Sequence, residues 1–380
     1  MSKTDREFQI FAKPVSGACN LQCSYCYYSS ENKIFVDSAV KRMDDVLLEN
    51  YIIQHIEATT DDLVMFSWHG GEPTLAGIDF YRKAIIFQKR HLPAGKELIN
   101  GIQTNGTLLN DEWCKFFSEE NFLVGISIDG TEETHNQFRL KLNGKGTFND
   151  VVNGYMLLLK YGVTAEILCV VNSSNAKYPL EIYHFFKSLK ARYITFLPLV
   201  ERKPGSGTGV TDKSVSAEAF GSFLIRIFDE WVENDIGKIE VQIFEETLRS
   251  AFDKEHTLCI FKVNCGGVPV IESNGNFYSC DHFVNKEHLL GNISQNSISD
   301  FLDSPEQVAF GELKSITLPN SCKNCEVLPM CNGECPKNRF VEAPCGEPGL
   351  NYLCAGYKMF FNHCLPFVET IRRAAAEGYQ

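Results

Sequence analysis

Three cysteines stand close together near the start of the chain, at positions Cys19, Cys23 and Cys26. Cysteine thiolates are ligands for zinc and for iron–sulfur clusters, and a closed site of either kind takes four protein ligands. A short loop that offers three thiolates therefore predicts a 4Fe–4S cluster in which one iron is left open for a small molecule. Such an open iron would place redox chemistry where a cofactor can bind.

The elements that must position this loop form an alternating series through the first two-thirds of the chain. Apolar, β-rich runs predict six strands, at Phe8–Lys13, Leu63–Trp68, Leu98–Thr104, Phe122–Asp129, Thr164–Val171 and Tyr193–Val200. Helical patterns lie between them, at Asp44–Ala58, Phe80–His91, Asp111–Glu120, Phe148–Tyr161 and Pro179–Leu189. This alternation is typical of a parallel sheet covered by helices. Six units predict an α/β fold with a partial (β/α)6 TIM-type barrel, whose chemistry is expected at the carboxyl ends of its strands.

The pattern of residue types along the sequence changes near Ile236. Before it, Glu201–Asp212 is rich in Gly, Ser and Thr and predicts a surface loop, and Ser216–Glu233 predicts a helix. Most of the fifteen cysteines lie from Cys259 onward, in a stretch with little periodic structure. We therefore predict a barrel domain over residues 1–235 and a C-terminal, cysteine-rich domain over residues 236–380, closed by a helix near Tyr357–Ala375.

Further motifs follow the later strands. Trp68–Pro73 (WHGGEP) follows the second strand, Gln103–Thr107 (QTNGT) the third and Ser127–Gly130 (SIDG) the fourth. Taken singly, each of these motifs is more simply explained by a turn, by a hydroxyl group packed in the core or by a charged side chain in solvent. Together with the cysteine triplet, the set resembles the radical S-adenosylmethionine (radical SAM) superfamily.

The resemblance implies that S-adenosylmethionine (AdoMet) chelates the open iron through its amino and carboxylate groups. It assigns contacts with the cofactor to Tyr25, Gly70, Gly71, Glu72, Ser127, Arg139 and Val200. Two successive glycines suit a close approach of backbone to the cofactor, because no Cβ intrudes. A hydrogen bond from the cofactor is the role expected for Glu72, in preference to that of a base.

Eight cysteines of the second domain provide enough thiolates for two fully ligated clusters, although C-x2-C pairs also build zinc sites. Their spacing resembles the SPASM pattern, which implies two auxiliary 4Fe–4S clusters. By that resemblance, the first cluster is held by Cys259, Cys265, Cys280 and Cys335. The second is held by Cys322, Cys325, Cys331 and Cys354.

Within the SPASM enzymes, two local features resemble the anaerobic sulfatase-maturating enzymes: Asp281 directly after Cys280, and the run Cys331–Arg339 (CNGECPKNR). Thr131 departs from the proline usual in that family, and we expect only a local difference in the turn. The resemblance implies oxidation of a Cys or Ser in a sulfatase (C/S)-x-P-x-R motif to Cα-formylglycine, with Asp281 as the base. It also implies a sulfatase polypeptide, unfolded or nascent, as the substrate and a flavodoxin or ferredoxin as the electron donor.

Two other readings stay open. One is a different SPASM peptide modifier that forms thioether or carbon–carbon crosslinks; such enzymes often carry an N-terminal peptide-binding domain, for which the start of the first strand near residue 8 leaves no room. The other is a non-catalytic zinc or iron–sulfur scaffold, which would not need the motifs at the strand ends. Four cysteines lie outside the ligand sets: Cys114 and Cys169 are expected to be packing residues, and Cys345 and Cys364 receive no role.

The composition limits the remaining classes. The chain has 380 residues, 44% of them hydrophobic, and a formal net charge of -12. An acidic balance argues against a nucleic-acid-binding surface, which needs clustered Lys and Arg. The start of the chain is too polar for a signal peptide, and no apolar run reaches the roughly 18 residues of a membrane helix. We therefore expect a cytoplasmic protein that binds neither nucleic acid nor membrane.

Overall fold

A computed structural model describes residues 7–28 and 42–378. The strands within this part of the chain are β1 (Phe11–Ala12), β2 (Leu63–Trp68), β3 (Glu97–Thr104), β4 (Leu123–Ser127), β5 (Ala165–Val171), β6 (Tyr193–Pro198), β7 (Glu240–Val241), β8 (Val270–Ile271), β9 (Asn276–Tyr278), β10 (Leu289–Asn292), β11 (Val341–Glu342) and β12 (Pro348–Leu350). The α-helices there are α1 (Asp45–Ala58), α2 (Ile78–His91), α3 (Asp111–Glu119), α4 (Glu132–Asn136), α5 (Phe148–Lys160), α6 (Pro179–Ser188), α7 (Ala217–Asn234), α8 (Gln242–Arg249), α9 (Ile298–Leu302), α10 (Pro305–Ile316), α11 (Asn320–Lys323), α12 (Leu328–Cys331) and α13 (Cys354–Ala376).

The chain divides into two compact units that do not follow chain order. The first unit comprises Met1–Ser127, His135–Ala165 and Gly266–Gly311, and the second comprises Ile128–Thr134, Glu166–Cys265 and Glu312–Gln380. The sequence-based division at residues 235 and 236 concerns the order of family domains along the chain and stays a prediction.

The first unit is built on a sheet in the order β10-β9-β8-β1-β2-β3-β4. Strands β1 to β4 run parallel, and β1 also pairs in parallel with β8, whereas β9 runs antiparallel to both of its neighbours. Buried Phe66 and Trp68 of β2 pack against Tyr51 of α1 and Phe80 of α2. This core fixes the carboxyl ends of β1 and β2, from which the cysteine loop and the GGEP motif depart.

The second unit contains the parallel strands β5, β6 and β7, together with a long helix pair. Helices α7 and α13 approach closely because glycines face each other: a Cβ on Gly356 would lie 2.0 Å from the carbonyl oxygen of Ala217, and one on Gly221 would lie 2.6 Å from that of Gly356. Aromatic side chains continue the contact, with Phe228 of α7 against Phe360 of α13. The pair provides a rigid support for Cys354, the first residue of α13.

Local sequence signals account for the starts of several helices. Asp44, Asn110 and Ser216 each accept a hydrogen bond from a backbone N–H in the first turn of α1, α3 and α7, respectively, as N-cap residues do. The predicted bounds of β2 are those observed, and the predicted first strand is shortened to Phe11–Ala12. Among the residues that the structure describes, no helix is both long and apolar enough to cross a membrane.

The expectation of little periodic structure after Cys259 is wrong for α10. This helix buries Gln307, Gly311 and Lys314 on one face and exposes Leu313 and Ile316. Its buried positions are polar or lack a side chain, so the sequence of α10 does not show the apolar periodicity that indicates a helix. The polar residues on this face are needed for hydrogen bonds to cysteine-bearing loops, as described below.

Candidate functional site

The cysteine loop of the first unit follows β1 and is shaped by backbone hydrogen bonds from distant segments. The N–H groups of Gly71 and Glu72 donate to the carbonyls of Ser16 (2.8 Å) and Ala18 (2.7 Å). A Cβ on Gly71 would lie 2.1 Å from the carbonyl oxygen of Ala18, and Gly70 has φ +130°. The two glycines of the GGEP motif therefore let its backbone lie directly against the cysteine loop.

The other side of the same loop is held by residues that follow α4. The N–H of Gln22 donates to the carbonyl of Leu140 (2.8 Å), and that of Ser24 donates to the carbonyl of Phe138 (3.0 Å). Together with the contacts of the GGEP motif, these hold backbone groups that flank Cys19 and Cys23. The loop geometry thus depends on segments from β2 and from residues 138–140.

The three thiols interact with one another. Burial raises the pKa of the Cys19 thiol to about 11, and Glu72, Cys23 and Cys26 add to the rise because a thiolate would be repelled by their negative charges. The Cys19 Sγ also accepts hydrogen bonds from the N–H of Leu21 (3.4 Å) and from Asn105 Nδ2 (3.7 Å). A bound metal would favour deprotonation of this thiol, so metal loading would release protons.

This donor set fits an iron–sulfur cluster better than a single ion. Within residues 7–28 and 42–378, no three His, Cys, Asp or Glu side chains converge as ligands around one metal ion. In a 4Fe–4S cluster each thiolate binds a different iron, so the ligands stand apart around a larger body. N–H donors to a cluster sulfur, as at Cys19, are also a means of setting its potential.

Glu72 is fully buried and its carboxylate is occupied by protein donors. Oε1 accepts hydrogen bonds from the N–H and Oγ1 of Thr74 (3.0 and 2.6 Å) and from Thr104 Oγ1 (2.7 Å). Oε2 accepts from the N–H of Asn105 (2.7 Å). Burial raises its pKa, and the hydrogen bonds oppose that rise. Glu72 therefore ties the GGEP motif to the end of β3.

Two of the predicted cofactor contacts are brought together beside the cysteine loop. The guanidinium of Arg139 lies 5.5 Å from the ring centroid of Tyr25, which also packs against Phe138 (5.8 Å). Ser127, at the end of β4, accepts a hydrogen bond from Gln103 Nε2 (3.2 Å). Val200 is buried and belongs to the second unit, following β6.

Asp281 lies in the first unit and is 8% exposed, in a short 3-10 helix that follows Cys280. Its Oδ1 is 2.7 Å from Lys13 Nζ and accepts a hydrogen bond from the Tyr28 hydroxyl (2.7 Å). Its Oδ2 accepts one from the Tyr27 hydroxyl (2.7 Å). Burial would raise the pKa of Asp281, but Lys13 above all, with His69 and His282, holds it well below its usual range.

The partners of Asp281 all come from segments around the cysteine loop. Lys13 directly follows β1, Tyr27 and Tyr28 directly follow Cys26, and His69 precedes the GGEP glycines. Tyr27 exposes 41% of its surface, yet its hydroxyl faces the carboxylate. Burial, followed by the nearby Asp281, raises the pKa of both tyrosine hydroxyls, which therefore stay protonated donors.

Lys13 is a site residue that the sequence analysis missed. It is fully buried, lies 3.5 Å from Glu272 Oε1 and stands over the Tyr28 ring at 4.3 Å from the centroid. A buried lysine is rare unless it is paired. The available signal was a charged residue at the end of an apolar strand, immediately before the cysteine loop.

Seven of the eight predicted auxiliary ligands lie in the second unit, where they form two groups. Cys259, Cys265 and Cys335 interact electrostatically with one buried side chain, Lys314. The second group is Cys322, Cys325, Cys331 and Cys354, within which Cys354 interacts with Cys322 and Cys325, and Cys331 with Cys354 and Cys322. Cys280, the eighth, lies in the first unit next to Asp281.

Three successive left-handed residues separate Cys331 from Cys335. Asn332, Gly333 and Glu334 have φ of 44°, 72° and 53°. Such a run is costly for residues other than glycine and persists only where surrounding contacts hold it. It reverses the chain between two nearby cysteines that belong to different groups.

The four cysteines outside these groups have ordinary surroundings. Cys114, Cys169 and Cys364 are buried, and Cys345 is exposed. Burial raises the pKa of Cys364 and, to about 11, that of Cys114. Burial is what the packing role predicted for Cys114 and Cys169 requires.

Comparison with known proteins identifies both parts of the chain. Residues 14–186 match the family model of the radical SAM superfamily, and residues 265–326 match that of SPASM, an iron–sulfur cluster-binding domain. The chain is 44% identical to a serine-type anaerobic sulfatase-maturating enzyme of Bacteroides thetaiotaomicron, over 96% of this chain and 91% of that protein. It is 33% identical to a cysteine-type enzyme of Clostridium novyi, over 94% and 95% of the two chains.

A solved structure has the same fold. The native sulfatase-maturating enzyme anSMEcpe with bound AdoMet and Cp18Cys peptide superposes with a TM-score of 0.86 at 30% identity, covering 97% of this chain and 99% of that one. The predicted α/β class with a C-terminal SPASM domain and the predicted family are confirmed. The chain therefore belongs to the anaerobic sulfatase-maturating enzymes, which are radical SAM enzymes with a SPASM iron–sulfur domain.

Proposed function

We propose that this enzyme oxidises a Cys or Ser within a (C/S)-x-P-x-R segment of a sulfatase polypeptide to Cα-formylglycine. When bound, AdoMet and the reduced cluster supply a 5′-deoxyadenosyl radical, which removes one hydrogen atom from the Cβ of the target residue. The substrate then loses one proton from its thiol or hydroxyl and one electron. A serine gives the aldehyde directly, and a cysteine gives a thioaldehyde that water hydrolyses.

Cys19, Cys23 and Cys26 would hold the AdoMet-binding cluster. Their support is a loop clamped on both sides by backbone hydrogen bonds, with mutually interacting thiols. The cofactor itself would contact Tyr25, Gly70, Gly71, Ser127, Arg139 and Val200. We expect Glu72 to act mainly by fixing the GGEP backbone, because four protein donors already occupy its carboxylate.

Asp281 would receive the proton of the substrate. The single observation that carries this assignment is its set of partners, since Lys13, Tyr27 and Tyr28 tie one buried carboxylate to the segments on either side of the cysteine triplet. Lys13 keeps the carboxylate ionised, as a proton acceptor must be. The two tyrosines orient it, and either hydroxyl can pass a proton to it.

Two auxiliary 4Fe–4S clusters would complete a total of three. We assign Cys259, Cys265, Cys280 and Cys335 to one and Cys322, Cys325, Cys331 and Cys354 to the other. The grouping within the second unit and the left-handed turn after Cys331 support this division of ligands. A flavodoxin or ferredoxin would deliver electrons to the AdoMet-binding cluster.

The test is anaerobic incubation of the reconstituted enzyme with AdoMet, a reductant and a C-x-P-x-R peptide or its Ser counterpart. Mass spectrometry should find the aldehyde in the peptide and 5′-deoxyadenosine in the same amount. Peptides in which the target residue is Ala provide the control. Production of 5′-deoxyadenosine with a crosslinked rather than an aldehyde-bearing peptide would contradict the assignment and favour a different SPASM modification.

A further inference from the structure

A buried lysine lies among the cysteines of the second unit. Lys314, on the last turns of α10, has 0% exposure, and its Nζ donates to the carbonyls of Cys259 (3.1 Å), Ile260 (2.7 Å) and Lys262. A neutral amine has only two hydrogens to donate, whereas an ammonium group has three. Three carbonyl acceptors therefore identify Lys314 as positively charged.

A second cation is joined to the first. Arg339 Nη1 donates to the backbone carbonyl of Lys314 (2.6 Å), while its Nε donates to the carbonyl of Gly349 (3.0 Å). A guanidinium is always protonated in proteins. Arg339 is half-buried and interacts electrostatically with a set of thiols that spans both cysteine groups: Cys322, Cys265, Cys331 and Cys335.

One buried carboxylate opposes these two cations. Glu334 is 3% exposed, accepts hydrogen bonds from Asn338 (3.2 Å) and Asn351, and interacts electrostatically with Lys314. Two positive groups against one negative group leave a net positive charge beside the thiols. In a low-dielectric interior, that charge acts strongly on a neighbouring anion.

We propose that Lys314, supported by Arg339, raises the reduction potential of the auxiliary cluster held by Cys259, Cys265 and Cys335, and so makes that cluster the acceptor of the substrate electron. The inference rests on the proposed function, since it requires that cluster to be present. A 4Fe–4S cluster with thiolate ligands becomes more negative when it gains an electron. A fixed cation therefore stabilises the reduced form, and net charge is among the known determinants of cluster potential.

The electron balance of the step is simple. The substrate radical loses one electron and the cluster gains one, while the proton goes to Asp281. No other oxidant is needed within one turnover. Lys314 does not touch the reacting atoms, so it is a residue that tunes the acceptor.

The experiment compares Lys314→Met and Lys314→Gln with wild type, using full-length enzyme reconstituted anaerobically. Redox titration followed by electron paramagnetic resonance gives the potential of each cluster. We expect one auxiliary cluster to become at least tenfold harder to reduce in both variants, which is 59 mV for one electron. Lys323→Met is the matched control, because it removes the same charge from an exposed lysine next to the ligand Cys322 and should leave every potential unchanged.

The outcomes separate the inference from the proposed function. About twelve irons per chain with unchanged potentials in the Lys314 variants would overturn the inference alone. An equal shift in Lys323→Met would also overturn it, because surface charge would then suffice. A third outcome is that both Lys314 variants lose the iron of one cluster while Lys323→Met retains it. Lys314 would then be needed to hold the cysteine loop in place, and this result would contradict its role in setting the potential. About four irons per chain in wild type would instead defeat the proposal of auxiliary clusters.

Discussion

The proton-transfer role proposed for Asp281 requires a carboxylate that stays ionised although it is buried. A carboxylate in a buried position would normally gain a proton, and here Lys13 prevents this at a distance of 2.7 Å. The ion pair with Lys13 therefore favours the ionised carboxylate. It is a weak base by equilibrium standards, and it suits a substrate whose hydroxyl or thiol has become acidic through the radical on the adjacent carbon.

Replacing Asp281 by Asn keeps the shape and removes the charge. We expect AdoMet cleavage to continue at a rate close to that of wild type, while the yield of aldehyde falls by about 10²–10⁴-fold, the range for loss of a general base. Quantifying 5′-deoxyadenosine and modified peptide in the same reaction measures both. Undiminished formylglycine from this variant would remove Asp281 from the mechanism.

The charge of Lys13 should be visible in the pH dependence. Because Lys13 lowers the pKa of Asp281, wild-type activity should show no acid limb from this carboxylate between about pH 5 and 8. Lys13→Met removes the ion pair but not the burial, so the pKa of Asp281 rises and activity should fall as the pH falls. A profile as flat as that of wild type would contradict this role; Lys83→Met, which removes an exposed lysine paired with Asp45, is the control.

The sequence supported a prediction of Asp281 but not of its surroundings. The carboxylate was recognisable from its place after Cys280 within a family pattern, whereas Lys13 and the two tyrosines act through contacts across more than 250 positions of the chain. Glu72 illustrates the same limit. The GGEP motif could be recognised in the sequence. The four hydrogen-bond donors to the Glu72 carboxylate could not be predicted, because they come from its own turn and from the end of β3.

At the level of elements, the contact between the GGEP turn and the cysteine loop permits a direct test. In Gly71→Ala the new Cβ would meet the carbonyl of Ala18 at 2.1 Å, so the cysteine loop has to shift. We expect the free energy of unfolding to fall by about 1–3 kcal/mol and the protein to retain less of the iron of the first cluster. Gly101→Ala in β3 is the control, because its nearest neighbours stand at 3.9 Å, and it should retain wild-type iron.

The packing of α1 on β2 makes the first unit sensitive to acid. Burial lowers the pKa of His55 to about 3, so only the unfolded chain takes up a proton just below pH 6.5. The associated stability is complete above pH 6.5 and declines as the pH falls toward 3, by about 2 kcal/mol between pH 6.5 and 5. Urea unfolding at pH 7 and pH 5 should show a smaller pH effect in His55→Gln; an equal effect would exclude His55 as its source.

Elements with apolar periodicity were predictable, and those without it were not. The bounds of β2 could be predicted because its nearly continuous apolar run, LVMFSW, lies between Asp61–Asp62 and His69–Gly70. Helix α10 escaped because it buries Gln307 and Lys314 and exposes Leu313 and Ile316. The polar residues on the buried face of α10 remove the apolar periodicity by which a helix is recognised. One of them, Lys314, donates a hydrogen bond to the backbone of Cys259.

For the whole molecule, iron content is the quantity that tests the assignment of cysteines. Wild type should bind about twelve irons, for three 4Fe–4S clusters. Cys23→Ala should bind about eight and make no 5′-deoxyadenosine, whereas Cys345→Ala, which changes an exposed cysteine outside the ligand sets, should bind about twelve. Retention of all the iron by Cys23→Ala, or of wild-type AdoMet cleavage, would contradict the assignment of the first cluster.

The overall organisation was only partly accessible from sequence. A high cysteine count with a closely spaced triplet indicates metal clusters, and the strand–helix alternation indicates a parallel sheet. The two compact units, however, are each assembled from three separate segments of the chain. Such interleaving depends on contacts between remote residues, which composition and spacing do not report.

The backbone hydrogen bonds that the cysteine loop accepts from Gly71 and Glu72 and donates to Phe138 and Leu140 have a consequence for biosynthesis. A ribosome adds residues from the amino end, so the first three ligands emerge long before the backbone that shapes them has been made. Until about residue 140 has left the exit tunnel, iron delivered to the nascent polypeptide would encounter a cysteine loop without its supporting hydrogen bonds. Maturation of this centre should therefore wait until the segment around residue 140 has emerged, and a truncated chain ending before residue 138 should fail to retain its iron.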